Sequence, residues 1–352
     1  MTDSHSSTRI HPEGPVAAGF EARTRVQEES TLSELAARSY PEDRVRPEVS
    51  CGLRTPFQRD RDRIVHCKAF RRLKHKTQVF VSPLGDHYRT RLTHTLEVTQ
   101  ISRTVARALQ LNEDLTEAIG LGHDLGHSPF GHIGEEALDR CLRERYGVGF
   151  RHFDHSLRLV DCIEGGGKGL NLSNPVRDGI VHHSGRADMP LSHEGRIVRL
   201  VDRVAYLNHD IDDAIRAGVI SVADVPNEAM DVLGETGGDR IDQLVHDLVE
   251  HSHEAGDIVQ GAEAGQAMGN LREFMFERVY LGVEARKEHA RIDTVIKTLF
   301  DHFADDPDLI PDGVSPEGAS EAERVMDWIA GMTDRFCVRV FEDVAVPAAF
   351  GL

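Results

Sequence analysis

GLGHDLGHSPFGHIGEE, residues Gly120–Glu136, decides how the chain is read. These 17 residues carry His123, Asp124, His127, His132, Glu135 and Glu136, with Gly122, Gly126, Pro129 and Gly131 set among them. No continuous helix accepts Gly and Pro at that spacing, so the stretch is a ligand-bearing turn at the end of an apolar helical run. The adjacent His123 and Asp124 offer a neutral imidazole and a carboxylate to one divalent cation. Neither side chain suits a buried position unless it is paired or metal-bound.

Upstream of the turn, Asn112 caps EDLTEAIGLGHD, whose Leu115, Ala118, Ile119 and Gly122 form an apolar face. Before that, a helix over about Thr90 to Leu109 carries His94, Val98, Ile101 and Val105 at steps of 4, 3 and 4 residues, which puts His94 on the buried stripe. Downstream, helices are expected over Ile133 to Tyr146, from His152 and His155 onward, and over Pro175 to His183, with a flexible break at Gly165 to Gly169. The longest helix is expected from about His193 to Ala217. On it Asp202, Tyr206 and Asp210 share one face at i, i+4, i+8, and a carboxylate at Asp202, between Val201 and Val204, demands a partner.

Residues 1–29 are polar and aperiodic, a disordered tail, after which Ser30 is placed to cap a short helix TLSELAARS. The segment from Asp60, RDRIVHCKAFRRLKHK, has helical spacing; TQVFVSP has strand composition and PLGDHYRTR reads as a turn, together a small hairpin. The remainder, 221–352, offers amphipathic helices near Asp239 to Glu254, Gln266 to Ala304 and Ala319 to Val344 without a chemical motif, which reads as packing and subunit contacts. The expected fold is therefore mainly α with at most one small hairpin: a core over 30–220 and additional C-terminal helices over 221–352 packed on it.

Composition narrows the function. A hydrophobic fraction of 39% and a charged fraction of 28% are those of a soluble globular protein, with no run long enough for a membrane span and no apolar N-terminal segment, so a cytoplasmic location is expected. Five scattered cysteines without a C-x-x-C pair argue against a disulfide framework and a thiolate zinc site. The net charge of -18 opposes long-range attraction to nucleic acid or anionic membranes. Yet Arg54 to Arg91 holds 11 Lys/Arg against three Asp, a basic island suited to a polyanion, a solvated face or an oligomer interface.

His94, the His123-Asp124 pair and Asp202 together supply four N/O ligands to a single cation. This H…HD…D pattern resembles the HD-domain metal-dependent phosphohydrolases, whose fold is a helical bundle. The blocks RTPFQRDRDRIVHCKAFRRLKHKTQVF, RTRLTHTLEV, GHDLGHSPFGHIGEEAL, FRHFDHSLRLV and VDRVAYLNHDIDD, in order over roughly Arg54 to Asp213, narrow the resemblance to the deoxyguanosine triphosphate triphosphohydrolases and their bacterial relatives. The resemblance implies hydrolysis of a deoxynucleoside triphosphate to deoxynucleoside and intact triphosphate, with water attacking the α-phosphorus. It implies a divalent cation on His94, His123, Asp124 and Asp202, first Mn or Mg, with Fe, Co or Zn open to the same mixed donors.

By the same resemblance His132 with Glu135 is the general acid/base dyad and His127 touches the α-phosphate. Arg91, Arg203 and His152 are expected at the phosphates; the leaving triphosphate carries about four negative charges that need such neutralisation. Tyr206 and Asp210 are expected at the deoxyribose, with Gln78 near the sugar. Phe153 and His155 depart from the family, which more often has Asn and Gln there. Relatives imply a homo-oligomer and, in some, a nucleotide activator. Two other readings stay open: an HD phosphatase or phosphodiesterase on another nucleotide, opposed by Tyr206 with Asp210, and a nucleotide-binding or weakly single-stranded-nucleic-acid-binding regulator with a structural metal. The basic island favours the regulator; the intact His132-Glu135 pair opposes it.

Overall fold

The structure, a computed structural model, describes residues 14, 16–78 and 89–347. Among them the chain is helical throughout, with no strand and two isolated bridges. The helices that matter here are α1 Phe20–Thr31, α2 Pro56–His66, α3 Arg91–Ala108, α4 Glu113–Gly122, α5 Gly131–Tyr146, α6 His152–Arg158, α7 Asn174–His182 and α8 His193–Arg216. The C-terminal third adds α9 Gly237–Ala255, α10 Ala262–Met275, α11 Val283–Asp305, α12 Glu321–Ala330 and α13 Asp334–Ala345. No described helix is long and apolar enough to cross a membrane.

Local chemistry sets several boundaries. Thr55 and Gln58 form a reciprocal capping box with Pro56 at the first helical position of α2. The Asn112 side chain accepts Leu115 N at 3.1 Å and starts α4 as expected, and Ser192 does the same for α8 through Gly195 N at 3.1 Å.

Two expectations are corrected, and a third lies largely outside the described residues. The TLSELAARS helix does not form: Ser30 lies inside α1, which occupies part of the expected tail, and residues 32–39 are a turn. The reason is tertiary. Ser33 N donates to Gln110 O at 2.8 Å, Ala37 N to Glu194 Oε1 at 3.0 Å and Ser39 N to Glu28 Oε2 at 3.1 Å, so this backbone is satisfied from outside. The C-terminal segments expected as single helices over 266–304 and 319–344 are each two, the second interrupted where Thr333 caps a new helix by accepting Phe336 N. The hairpin expectation falls largely on residues 79–88, outside the described residues; at its borders Thr77 and Thr90 form one antiparallel bridge.

Three apolar cores follow from this order. The first gathers α2, α3, α4, α7 and α8 around Ile64, Val98, Leu115, Ile119, Ile180 and Val198. The second seats Leu138 and Leu142 of α5 against Ile296, Leu299 and Phe300 of α11 and Ile329 of α12. The third joins the C-terminal half of α8 to α9 and α10 through Leu207, Ile211, Leu244 and Leu271. Because α5 begins in the turn that follows Asp124, the second core fixes that turn from the C-terminal side. Ile296 is fully buried, so Ile296→Ala is expected to cost about 2–5 kcal/mol. Urea unfolding monitored by helical circular dichroism measures this, and a cost under about 1 kcal/mol would contradict the packing.

Candidate active site

Helices α3, α4 and α8 converge on one cluster. His94 comes from the buried stripe of α3, His123 and Asp124 from the end of α4, and Asp202 from the middle of α8. His94 Nε2 is 3.0 Å from Asp202 Oδ1; His123 Nε2 is 3.7 Å from Asp124 Oδ1 and 3.8 Å from Asp202 Oδ1. All four residues expected to hold the cation are thus brought together.

The donor set fits a divalent cation. His123 Nδ1 donates to Gly120 O at 2.7 Å, which leaves a lone pair on Nε2. That Nε2 is buried, has no hydrogen-bond partner and faces two carboxylates, an arrangement that repels without a positive charge between. Burial pushes the Asp124 carboxyl up, but His123, His127 and Arg91 overcome it and hold it well below the usual range. Asp202 is likewise held at about 2, burial being outweighed by His94 and His123. In return, although burial pulls the His94 ring down, Asp202 and Asp124 raise it. Both carboxylates therefore stay ionised inside the bundle.

The turn after Asp124 carries the other expected groups. Glu135, 1% exposed, accepts from His152 Nδ1 at 2.8 Å and from His132 Nδ1 at 3.3 Å. Burial opposes ionisation of Glu135, yet His132 and His152 pull its pKa far down, so it is a fixed carboxylate between two rings. The His132 side chain is 70% exposed and is the one ring of this group that reaches solvent. His127 stacks on His152 with centroids 3.9 Å apart and lies 3.2 Å from Asp124 Oδ1. Burial first, then Arg91 and His152, keep His127 neutral.

The remaining expected residues divide. Arg91 is buried and donates to Asp124 Oδ2 at 2.7 Å, with Nε and Nη2 left without partners. Asp210 is buried on α8 and accepts from Tyr280 Oη, and burial pushes its carboxyl up to about 7. Tyr206 is half-buried; burial raises its phenol, opposed by Arg272 beside it. Gln78 has a buried Oε1 without a partner, and its backbone lies near the start of α5. Arg203 is exposed, and among the described residues no hydrogen bond or ion pair joins it to the cluster.

Several site-forming residues lie where the sequence offered no motif. Asp334, at the start of α13, accepts from Phe130 N at 3.0 Å, Thr77 N at 2.9 Å and Thr77 Oγ1 at 2.7 Å. Lys76, buried, donates to His127 O and to Ala330 O. His155 donates from Nδ1 to Gly126 O at 3.0 Å and sets Nε2 3.4 Å from Asp327 Oδ1, so this departure from the family pattern is a strut under the turn. Tyr280 and Arg272 come from the C-terminal third. His183 closes α7 beside His123 and His152. The sequence marks it only as a histidine at a helix end.

Of the basic island, Arg54, Arg59, Arg61 and Arg63 are ion-paired with carboxylates. Arg63 also lines, with Lys68, Arg71 and Arg72, a cavity of about 820 Å³ that shares no residue with the His94-His123-Asp124-Asp202 cluster.

A helical bundle that presents His94, His123, Asp124 and Asp202 in this way defines an HD-domain phosphohydrolase, and residues 91–207 match the HD domain while residues 258–343 match the phosphohydrolase-associated domain. The chain is 48% identical over 328 residues to a deoxyguanosinetriphosphate triphosphohydrolase-like protein of Caldanaerobacter subterraneus subsp. tengcongensis, covering 92% of this chain and 95% of that one. It is 46% identical to the protein of that name from Desulfatibacillum aliphaticivorans, with 86% and 91% covered, and 43% identical to that of Clostridium tetani, with 92% and 96% covered. The chain belongs to the deoxyguanosinetriphosphate triphosphohydrolase-like family of HD-domain hydrolases.

Two outcomes follow from the geometry. A Cβ on Gly126 would stand 2.1 Å from Ser156 N and 2.4 Å from His152 O. Gly126→Ala is therefore expected to force α6 off the turn and to cut retained metal at least several-fold, read by elemental analysis after desalting; full metal retention would contradict it. For Asp210 the folded pKa of about 7 exceeds the unfolded 3.8, so the folded state holds the extra proton between those values. Stability contributed at this position falls as pH rises from about 4 to 7 and is level above. The stability difference between wild type and Asp210→Asn should decline over that window, and a flat difference would refute the assignment.

Proposed function

We propose that the enzyme hydrolyses deoxynucleoside triphosphates to deoxynucleoside and inorganic triphosphate through water attack on the α-phosphorus. The observation that carries this reading is the junction of a cation-demanding cluster with the Glu135-His132 pair on one side and the Tyr206-Asp210 face of α8 on the other. A divalent cation, Mn or Mg first among the metals that suit mixed imidazole and carboxylate donors, would be held by His94, His123, Asp124 and Asp202 and would supply Lewis-acid polarisation at the α-phosphate.

The chain's own residues then divide the work. His132, exposed and oriented by Glu135, moves the proton of the attacking water or of the leaving group. His127, kept neutral, donates a hydrogen bond toward a phosphate oxygen. The unpartnered Arg91 nitrogens are available to the phosphates without breaking its pair with Asp124. Asp210, two turns and roughly 12 Å along the helix from Asp202, accepts from the 3′-hydroxyl, and Tyr206 packs on the face where a 2′-hydroxyl would stand. Arg203, His152 and Gln78 complete the phosphate and sugar ends. Residues 30–220 act as the catalytic core and 221–352 as its support in a homo-oligomer.

A second reading has its own observation. The cavity bearing Lys68, Arg71 and Arg72 favours binding of single-stranded nucleic acid or of a nucleotide activator, alongside catalysis.

The test is product analysis with each dNTP and Mn²⁺ or Mg²⁺ by ³¹P NMR, alone and in dNTP mixtures. Intact triphosphate is expected, and pyrophosphate or orthophosphate would refute attack at the α-phosphorus. His132→Ala is expected to lower kcat about 10²–10⁴-fold while metal content is retained; near wild-type kcat would remove it from the acid/base role.

A further inference from the structure

Lys76 has no part in the chemistry proposed above, yet it is 3% exposed and stands directly behind the turn. Its ammonium donates to His127 O in the turn and, at 2.9 Å, to Ala330 O at the end of α12. Its own carbonyl accepts Arg91 N at 3.1 Å, so one residue ties together the start of α3, the turn and the C-terminal third. Two carbonyls need only a neutral donor. An ammonium taken out of water is costly unless opposite charge replaces the solvent, and among the described residues no carboxylate pairs with Lys76.

The charges that face it leave positive charge in excess. Arg72, from the short helix Lys68–Arg72, and Arg91, from α3, repel the ammonium, while Asp334 of α13 and Asp124 beyond α4 attract it from farther off. Both carboxylates are already engaged, Asp334 by Phe130 N, Thr77 N and Thr77 Oγ1, and Asp124 by Arg91 and His127. Arg72 is exposed, where solvent screens it, but Arg91 is buried with Nε and Nη2 unpartnered. The missing negative charge therefore belongs on the Arg91 side. Burial first, then Arg72, pulls the Lys76 ammonium down to about 7, as expected of a buried cation still without its counter-charge.

We propose that Lys76 is a positioning residue of the phosphate site: it braces the turn through the His127 carbonyl, and its buried charge is completed by the triphosphate of the substrate lying on Arg91 and His127. The inference rests on the phosphate roles given to those two residues above. Lys76 acts at one remove, across a site where charges are weakly screened, and not by contact. A bound anion favours the charged ammonium. Above pH about 7 binding therefore draws a proton onto Lys76, and affinity falls as pH rises through that value.

Calorimetry of inorganic triphosphate binding to the full-length protein in excess Mg²⁺, in buffers of different ionisation enthalpy, measures affinity and counts protons together. Wild type is expected to bind about tenfold or more weakly at pH about 8.5 than at pH about 6, and to take up a proton at the higher pH. Lys76→Gln keeps a donor for a carbonyl and removes the charge. It should bind about tenfold more weakly than wild type at pH about 6, with no such proton uptake and little change with pH. Lys76→Met takes its place where the glutamine variant fails to fold; where neither folds, wild-type binding without proton uptake at pH about 8.5 overturns the inference. The same pH profile and proton count in wild type and a folded variant would leave Lys76 a brace only and overturn it as well. Lys76-dependent proton uptake in a protein that hydrolyses no dNTP would keep this inference and remove the substrate reading, whereas no triphosphate binding by wild type would remove both.

Discussion

Two ionised carboxylates, Asp124 and Asp202, stand inside a helical bundle, and most of the local architecture answers them. A carboxylate removed from water costs several kcal/mol unless charge and hydrogen bonds replace the solvent. The replacement here is Arg91 and His94 from α3, His123 from the end of α4 and His127 from the turn. Arg91 and His94 are three residues apart on α3, so both face the cluster in only one rotation of that helix. The apolar positions Val98 and Val105, on the same stripe, fix that rotation through the first core. Packing and electrostatics thus select the same register, and neither alone explains why three helices meet where they do.

The turn from Leu125 to Phe130 has no regular backbone ladder to hold it, and its stiffness is imported. Asp334 takes the Phe130 N–H, Lys76 takes the His127 carbonyl, and Ser156 Oγ accepts Gly126 N at 2.8 Å while donating to His123 O at 2.8 Å. His155 adds a further bond to Gly126 O and in turn leans on Asp327. Asp334, Asp327 and the Ala330 carbonyl all come from α12 and α13, so the phosphohydrolase-associated region serves as the outer wall of the turn that follows Asp124. A site needing placement within about half an ångström gains from support on rigid elements.

This division explains what the sequence disclosed. The clustered residues His94, His123, Asp124 and Asp202 were legible because each sits at an identifiable place in a periodic pattern: a buried stripe, a helix end, a helix middle flanked by valines. Helix α8 was legible within a residue at each end, since Ser192 caps it and its apolar face repeats without interruption. The 32–39 turn was not, because the groups that satisfy its backbone, Gln110 and Glu194, are remote in sequence. For the same reason Asp334 and Lys76 look like ordinary surface charges in a string of letters. Asp334 even occupies the first turn of a helix, where an acidic residue needs no further explanation. His183 is missed for a like reason: its neighbours His123 and His152 come from distant parts of the chain, and only the fold brings the three rings together.

The acidic balance of the chain and an anionic substrate are reconciled by where charge is placed. At physiological salt, exposed charges are screened over about 8 Å, so the net charge of -18 acts weakly across the surface. Within the cluster, screening by ions is largely absent and each fixed charge counts for more. Arg44 shows how the chain spends its other cations: buried, it is closed off by Asp60 and Glu42 and contributes to folding alone. Arg91 is different because it is only half satisfied, bonded to Asp124 through one nitrogen and leaving two more unpartnered and buried. A buried guanidinium with unmet donors is stable only if its neighbours hold it in place, and Asp124 does so. The same pair that neutralises the carboxylate therefore keeps two charged donors buried and oriented beside the cluster, a local positive site in a protein whose overall charge is negative.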